Sequence, residues 1–283
     1  MILESSICKG GNGMPFFCTD DNTKIYYEER GNGENVVFIH GWDCNRHFFT
    51  KQVPAFAEKY HVLSFDLRGH GDSDRTEAGM NLAHFAKDVK DLIDNRGLKN
   101  VVLIGWSMGV HIIWEYINNY GCENLKKVVL IDMTAKMMAE PEENWPHTIF
   151  DSYTRADGMA YLEQCASDWP SCVDGFVPAM FSDGPAQDLV PWVKEMALKN
   201  TPHVMVEMWL AIIQKDYRDM LDKITVPCLY TYGARKSLYT KENAEWLQEH
   251  IPNCEIAAFD GGHIHFLQDA ENFNKVVMEF IDK

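Results

Sequence analysis

The sequence predicts an α/β fold: a mostly parallel central sheet with helices on both faces and a helical lid inserted late in the chain. Three observations predict it. Short β-branched runs alternate with stretches whose apolar residues recur at helical spacing, the pattern of a parallel sheet covered on both sides. That alternation stops after Asp132 and resumes near Thr225. Between one strand-like run and the helix that follows it stands Gly105-Trp106-Ser107-Met108-Gly109, a sequence suited to a sharp turn from strand to helix.

Taken in order, residues 14–18 and 24–29 read as strands around the polar turn Asp20-Asp21-Asn22. Residues 36–40, 61–65 and 101–105 are short β-branched runs suited to buried strands. Leu82, Phe85, Val89, Leu92 and Ile93 form an apolar stripe at helical spacing, with Gly97 where a C-cap belongs. Residues 110–119 read as a buried helix and 127–132 as a strand. Residues 133–222 then break the pattern and carry seven of the eleven prolines and nine of the fourteen methionines. So long and apolar a segment is no plain loop, and it divides the core into residues 1–132 and 223–283. Helices are expected within it at 157–169, 187–199 and 204–214. The parallel pattern returns with a strand at 225–232, a helix at 241–251 and a strand at 254–259. Phe273, Val276, Val277, Phe280 and Ile281 share one face of a closing helix, with Asp269 placed as its N-cap.

The chemistry concentrates at three places. In the turn around Ser107, the strand–turn–helix context lifts the hydroxyl above the sheet edge and sets it at a helix N-terminus, where free N–H groups favour negative charge. That makes Ser107 a nucleophile. Gly261-Gly262-His263 follows the strand at 254–259, and a histidine there can reach Ser107 as general base. His265, two residues on, competes for the role, but the paired glycines favour delivery of His263. His40-Gly41-Trp42 ends the strand at 36–40, with His40 read as structural.

Together with Asp66-Leu67-Arg68-Gly69-His70-Gly71-Asp72-Ser73, these pieces resemble the α/β-hydrolase superfamily over essentially the whole length. The pairing of His-Gly-Trp with Gly-Trp-Ser is similar to pimeloyl-carrier-protein methyl ester esterases, a likeness that does not carry their substrate with it. The resemblance implies an oxyanion hole from the backbone N–H groups of Trp42 and Met108. It also implies an acid after the seventh strand, but Tyr232-Gly233-Ala234-Arg235-Lys236-Ser237-Leu238-Tyr239 contains no carboxylate. Some relatives place the acid at the end of the sixth strand, which is Asp132 here; Asp260 is the rival.

The expectation is therefore a serine hydrolase acting on a small, largely apolar carboxylic ester, needing no metal and no organic cofactor. Trp106, Met208 and Trp209 are candidate substrate-binding residues. The same machinery serves a lactonase, a thioesterase or a carbon–carbon bond hydrolase, and the fold also admits a non-catalytic ligand-binding protein. The formal charge of −16 disfavours nucleic acid and anionic membrane as partners. No stretch approaches 18 apolar residues, and Met1 to Gly13 does not read as a signal peptide. Eight scattered cysteines without Cys-x-x-Cys spacing read as free thiols in a reducing compartment. A cytoplasmic monomer or homodimer is expected.

Overall fold

A computed structural model describes residues 16–76 and 78–283. Eight strands form one sheet: β1 (Phe16–Cys18), β2 (Lys24–Arg30), β3 (Asn35–Ile39), β4 (His61–Phe65), β5 (Val101–Trp106), β6 (Leu125–Ile131), β7 (Cys228–Gly233) and β8 (Cys254–Phe259), in the order β1-β2-β4-β3-β5-β6-β7-β8. The first two strands join antiparallel; every pairing from β4 to β8 is parallel. Every residue of β5 and β7 is buried, as expected of strands covered on both faces. This explains why they read as continuous apolar runs rather than alternating ones.

The helices are α1 (Val53–Ala57), α2 (Leu82–Asn95), α3 (Met108–Tyr120), α4 (Arg155–Ser167), α5 (Trp169–Phe181), α6 (Val190–Leu198), α7 (Pro202–Ile213), α8 (Lys241–His250), α9 (His265–Gln268) and α10 (Ala270–Asp282). α2 begins where the Asn81 side chain accepts the N–H of His84 at 3.1 Å. It ends at Gly97, whose φ of +63° lets the Leu98 N–H return to Ile93 O at 2.9 Å. α10 buries Phe273, Val277, Phe280 and Ile281. Asp269 precedes α10 but does not cap it: its carboxylate takes the Asn272 side chain and the Asp260 N–H instead.

α4 to α7 all lie between β6 and β7. Sequence reasoning placed α4 at 157–169, two residues late at each end, and passed over α5 altogether, because Pro178 sits inside it and proline argues against helix. The proline is tolerated in the last turn. The start of α5 was legible: Asp168 accepts the Ser171 N–H at 3.2 Å, with Pro170 just inside the helix. β7 starts at Cys228, later than the expected Thr225, after Pro227. Six cysteines are free thiols, four of them buried, but Cys18 is disulfide-bonded and corrects the expectation of free thiols throughout. Cys8 and the segment Met1 to Gly13 lie outside the described residues, as do the first two positions of the expected 14–18 strand. No helix among the described residues is long and apolar enough to cross a membrane.

Candidate active site

β5 and α3 meet at Ser107, which takes φ +54° and ψ −120°, a backbone region that a non-glycine residue seldom occupies. The turn is held on both sides. The Ser107 N–H donates to Ile131 O at 2.9 Å, and Ser107 O accepts from the Val110 N–H at 2.8 Å. A Cβ on Gly105 would lie 2.5 Å from Gly109 O, so strand and helix approach this closely only through glycine. Met108 is the first residue of α3, and an N–H at that position has no acceptor within the helix. On the other side, a Cβ on Gly41 would lie 3.1 Å from the Ser107 Cβ. The backbone leading into Trp42 therefore lies directly against the serine.

Asp132 follows the last residue of β6, beside Ser107 in the sheet, and His263 sits in the loop after β8. Their side chains meet: His263 Nδ1 lies 2.7 Å from Asp132 Oδ2. A carboxylate can only accept, so Nδ1 donates and Nε2 is left with its lone pair. Both residues are almost wholly excluded from solvent, at 1% and 0% exposed. The same Oδ2 accepts the Ser237 hydroxyl at 2.6 Å, while Oδ1 has no partner. Ser107 and His263 line one cavity, without a direct hydrogen bond between them.

The other candidates for base and acid are engaged elsewhere. His265 Nε2 pairs with Thr231 Oγ1 at 3.0 Å and its Nδ1 with Gly262 O at 3.1 Å; burial pushes its pKa down to about 4. His40 accepts the Leu67 N–H on Nε2 at 3.0 Å, so its proton is on Nδ1, which donates to Gly41 O. Burial lowers its pKa to about 4 as well. That neutral ring fixes the loop from which Trp42 projects. Asp260 is exposed and bound to Arg235. In the loop after β4, Arg68 is clamped by Asp88 and Asp21, and Asp66 takes the N–H groups of Arg46 and Asp72. That loop is a buried ionic brace.

Beyond Trp42 the chain buries a carboxyl group. Asp43 has φ +56° and is fully buried; its carbonyl accepts the Asn200 side chain at 2.6 Å. Burial pushes its carboxyl pKa up to about 7, against a weak opposing bond from the Cys44 thiol.

The cavity at Ser107 is narrow, about 10 Å³, room for about one water. Trp42, Trp106, Phe176, Met180, Trp209 and Tyr239 are among its walls. The Trp106 indole donates to His263 O at 2.9 Å and so also braces the histidine loop. The Trp42 indole donates to Met205 O in α7 at 2.9 Å, and its ring centroid lies 4.6 Å from that of Trp209. Met208 is the exception among the expected substrate contacts. It is buried against Gly69, where a Cβ would lie 3.1 Å from its Cε, and it is not a wall of the cavity. No cluster of three or more His, Cys, Asp or Glu able to hold a metal ion occurs among the described residues.

The sequence pattern described as alpha/beta hydrolase fold matches residues 34–270. The chain belongs to the α/β-hydrolase family. Among relatives of this hydrolase, a non-heme chloroperoxidase from Kitasatospora aureofaciens is 28% identical over 279 residues, covering 95% of this chain and all of that one. A pimeloyl-[acyl-carrier protein] methyl ester esterase from Nitrosomonas europaea is 25% identical over 254 residues, covering 88% and 96%. Among solved structures, an esterase from Exiguobacterium antarcticum superposes with a TM-score of 0.87 at 29% identity, covering 95% of this chain and 99% of that one.

Two members of this hydrolase's site escaped sequence reasoning. Ser237 shows no pattern that marks a carboxylate partner, and only the fold brings it to Asp132. Phe176 belongs to the overlooked α5, so its place in the cavity could have been found only by first recognising the helix start at Asp168.

Proposed function

We propose that this protein is a serine hydrolase that cleaves a small, largely apolar carboxylic ester through an acyl-enzyme on Ser107. The observation that carries the reading is the buried Asp132–His263 pair, whose histidine lines the cavity that Ser107 also lines. In the first step, Ser107 Oγ attacks the acyl carbon while its proton passes to His263 Nε2. The alcohol oxygen then leaves with that proton. In the second step, water gives its proton to His263 and attacks the acyl carbon, and the acid departs as Ser107 recovers its proton. Asp132 holds the ring in the required tautomer and offsets its charge when protonated. The N–H groups of Trp42 and Met108 are the oxyanion donors, each worth about 3 kcal/mol in the transition state. α4 to α7 act as a lid that shapes the acyl site with Phe176, Met180 and Trp209.

Ester hydrolysis is supported by the apolar walls and by the esterases among the relatives. The relatives named as a chloroperoxidase and a haloperoxidase raise a second reading, peroxide-dependent halogenation, which takes its own assay. The deciding experiment is labelling with a fluorophosphonate beside turnover of 4-nitrophenyl acetate. Wild type should be labelled and active, and Ser107→Ala should be neither while keeping its Tm. Label retained in Ser107→Ala would refute the assignment. Halogenation without ester turnover would favour the second reading.

A further inference from the structure

Trp42, whose N–H is one of the two oxyanion donors in the mechanism proposed above, stands in a loop that the sheet holds only in part. His40 fixes the loop as far as Gly41, whose carbonyl takes its Nδ1–H at 2.8 Å. Beyond that point, among the described residues, Trp42, Asp43 and Cys44 make no main-chain hydrogen bond to the main chain. A free N–H at Trp42 suits an oxyanion donor, because it has no competing acceptor. The same freedom means that the core does not set the direction of that N–H. Asp43 turns the chain here at φ +56°, a region that a non-glycine residue holds only with support from its surroundings.

That support comes from the helices between β6 and β7. Asn200 Nδ2 donates to Asp43 O at 2.6 Å, and the Trp42 indole donates to Met205 O at 2.9 Å. Among the described residues, these two are the hydrogen bonds that tie residues 42–44 to another element. Both end on one short segment, 200–205, where α6 passes into α7. The segment is itself fixed: the Asn200 N–H donates to Ala197 O and the Met205 N–H to Thr201 O, each at 3.1 Å, and Pro202 starts α7 with its φ already set. The indole bond anchors a side chain, whereas the Asn200 bond grips the backbone. Only two residues separate the Asp43 carbonyl from the Trp42 N–H, so fixing the carbonyl limits how far the N–H can swing. Asn200 is 6% exposed; without its amide, Asp43 O would be left buried and unpaired, and the turn would relax to find another donor.

We propose that Asn200 is a positioning residue for the reaction at Ser107: by holding the Asp43 carbonyl it aims the Trp42 N–H at the oxyanion of the tetrahedral intermediate. This rests on Ser107 and Trp42 acting as described above. Asn200 touches neither substrate nor reacting atoms, and its effect falls on the transition state rather than on the bound ester. Loss of a whole oxyanion donor costs about 10² to 10³ in kcat. A donor that stays but loses its aim costs less, about 10- to 100-fold.

The test uses two ketones that differ only in fluorine. Trifluoromethyl ethyl ketone forms a hemiketal with Ser107: Oγ bonds the carbonyl carbon, the serine proton passes to His263, and the carbonyl oxygen becomes the oxyanion. Methyl ethyl ketone, far less electrophilic, occupies the site without forming that adduct. Asn200→Leu keeps the side-chain volume and removes the donor. It should weaken inhibition by the fluorinated ketone at least tenfold and leave inhibition by methyl ethyl ketone within threefold, while kcat for 4-nitrophenyl acetate falls about 10- to 100-fold. Asn200→Ala serves if the leucine variant does not fold. Thr154→Ala removes an exposed capping box of α4, elsewhere in the same helices; it should lower Tm and leave the ratio of the two inhibition constants unmoved. An Asn200 variant whose ratio stays within threefold of wild type overturns the proposal. So does a Thr154 variant that shifts the ratio as far, because any loosening of these helices would then suffice. Fluorophosphonate labelling separates the causes: an unlabelled wild type removes the Ser107 reading and this proposal with it, whereas a labelled wild type and an unmoved ratio in the Asn200 variant remove this proposal alone.

Discussion

Replacing Asp132 with asparagine exchanges one oxygen for an NH2 group and should cost most of the activity. Two donors converge on Oδ2, the His263 Nδ1–H at 2.7 Å and the Ser237 hydroxyl at 2.6 Å, while Oδ1 has no partner. An asparagine amide can lie either way. With its oxygen in place of Oδ2, the NH2 takes the position of Oδ1 and stays buried and unpaired, at about 1–3 kcal/mol. With its nitrogen there, His263 must present a lone pair on Nδ1 and carry its proton on Nε2, toward Ser107, where it cannot act as base. Either way the imidazolium loses its countercharge. The corresponding exchange in a serine protease cost about 10⁴ in kcat. A loss of 10³ to 10⁴ is expected here, about 4–5.5 kcal/mol of transition-state stabilisation. The fold should survive, because asparagine tolerates the φ of +48° at this position as aspartate does. The assay is kcat for 4-nitrophenyl acetate beside a thermal melt. A variant that keeps its Tm and stays within tenfold of wild-type kcat would refute the reasoning and leave a Ser–His pair without an acid.

The remaining predictions follow from the same region. Adding Ser237→Asp to Asp132→Asn should recover at least tenfold of the lost kcat, since position 237 already lies at hydrogen-bond distance from residue 132; no recovery would show that this loop cannot deliver an acid to His263. Lys236, the residue before Ser237, is exposed, and an acid there should recover nothing. Asp43→Asn should change how stability depends on pH. Burial raises the Asp43 pKa in the folded state to about 7, above its ordinary 3.8, so its neutral form is favoured on folding. That contribution is fully present below about pH 4 and is lost as pH rises through 7, leaving a penalty on the order of a few kcal/mol at pH 8. The variant's Tm should therefore exceed that of wild type by a margin that widens by several degrees from pH 5 to pH 8; parallel melting curves over that range would count against it.

Much of this was legible in the sequence because it depends on local rules. The β-branched runs of β3 to β6 mark strands buried on both faces. The stripe from Leu82 to Ile93 marks a helix with one buried side. The glycines around Ser107 mark a turn that no larger residue could make. Asp132 could be singled out because position in the fold, rather than spacing in the chain, decides whether a carboxylate reaches the histidine loop, and the usual location was empty of acids. What remained hidden depends on packing. Met208 and Trp209 are neighbours on α7, and only the seating of that helix turns one toward Gly69 and the other toward the cavity. α5 was lost to a proline that breaks helices in general but is tolerated in a last turn. Ser237 acquires its role from the approach of two distant strand ends.

The indole bond from Trp42 to the Met205 carbonyl gives this architecture an uneven modularity. By its backbone Trp42 belongs to the loop after β3; by its side chain it belongs to the helices between β6 and β7. Exchanging the whole insertion for that of another family member would orphan this indole and disturb the loop that lies against Ser107. A replacement insertion would thus have to arrive with a carbonyl in the same place, or with a different residue at position 42 in the loop after β3.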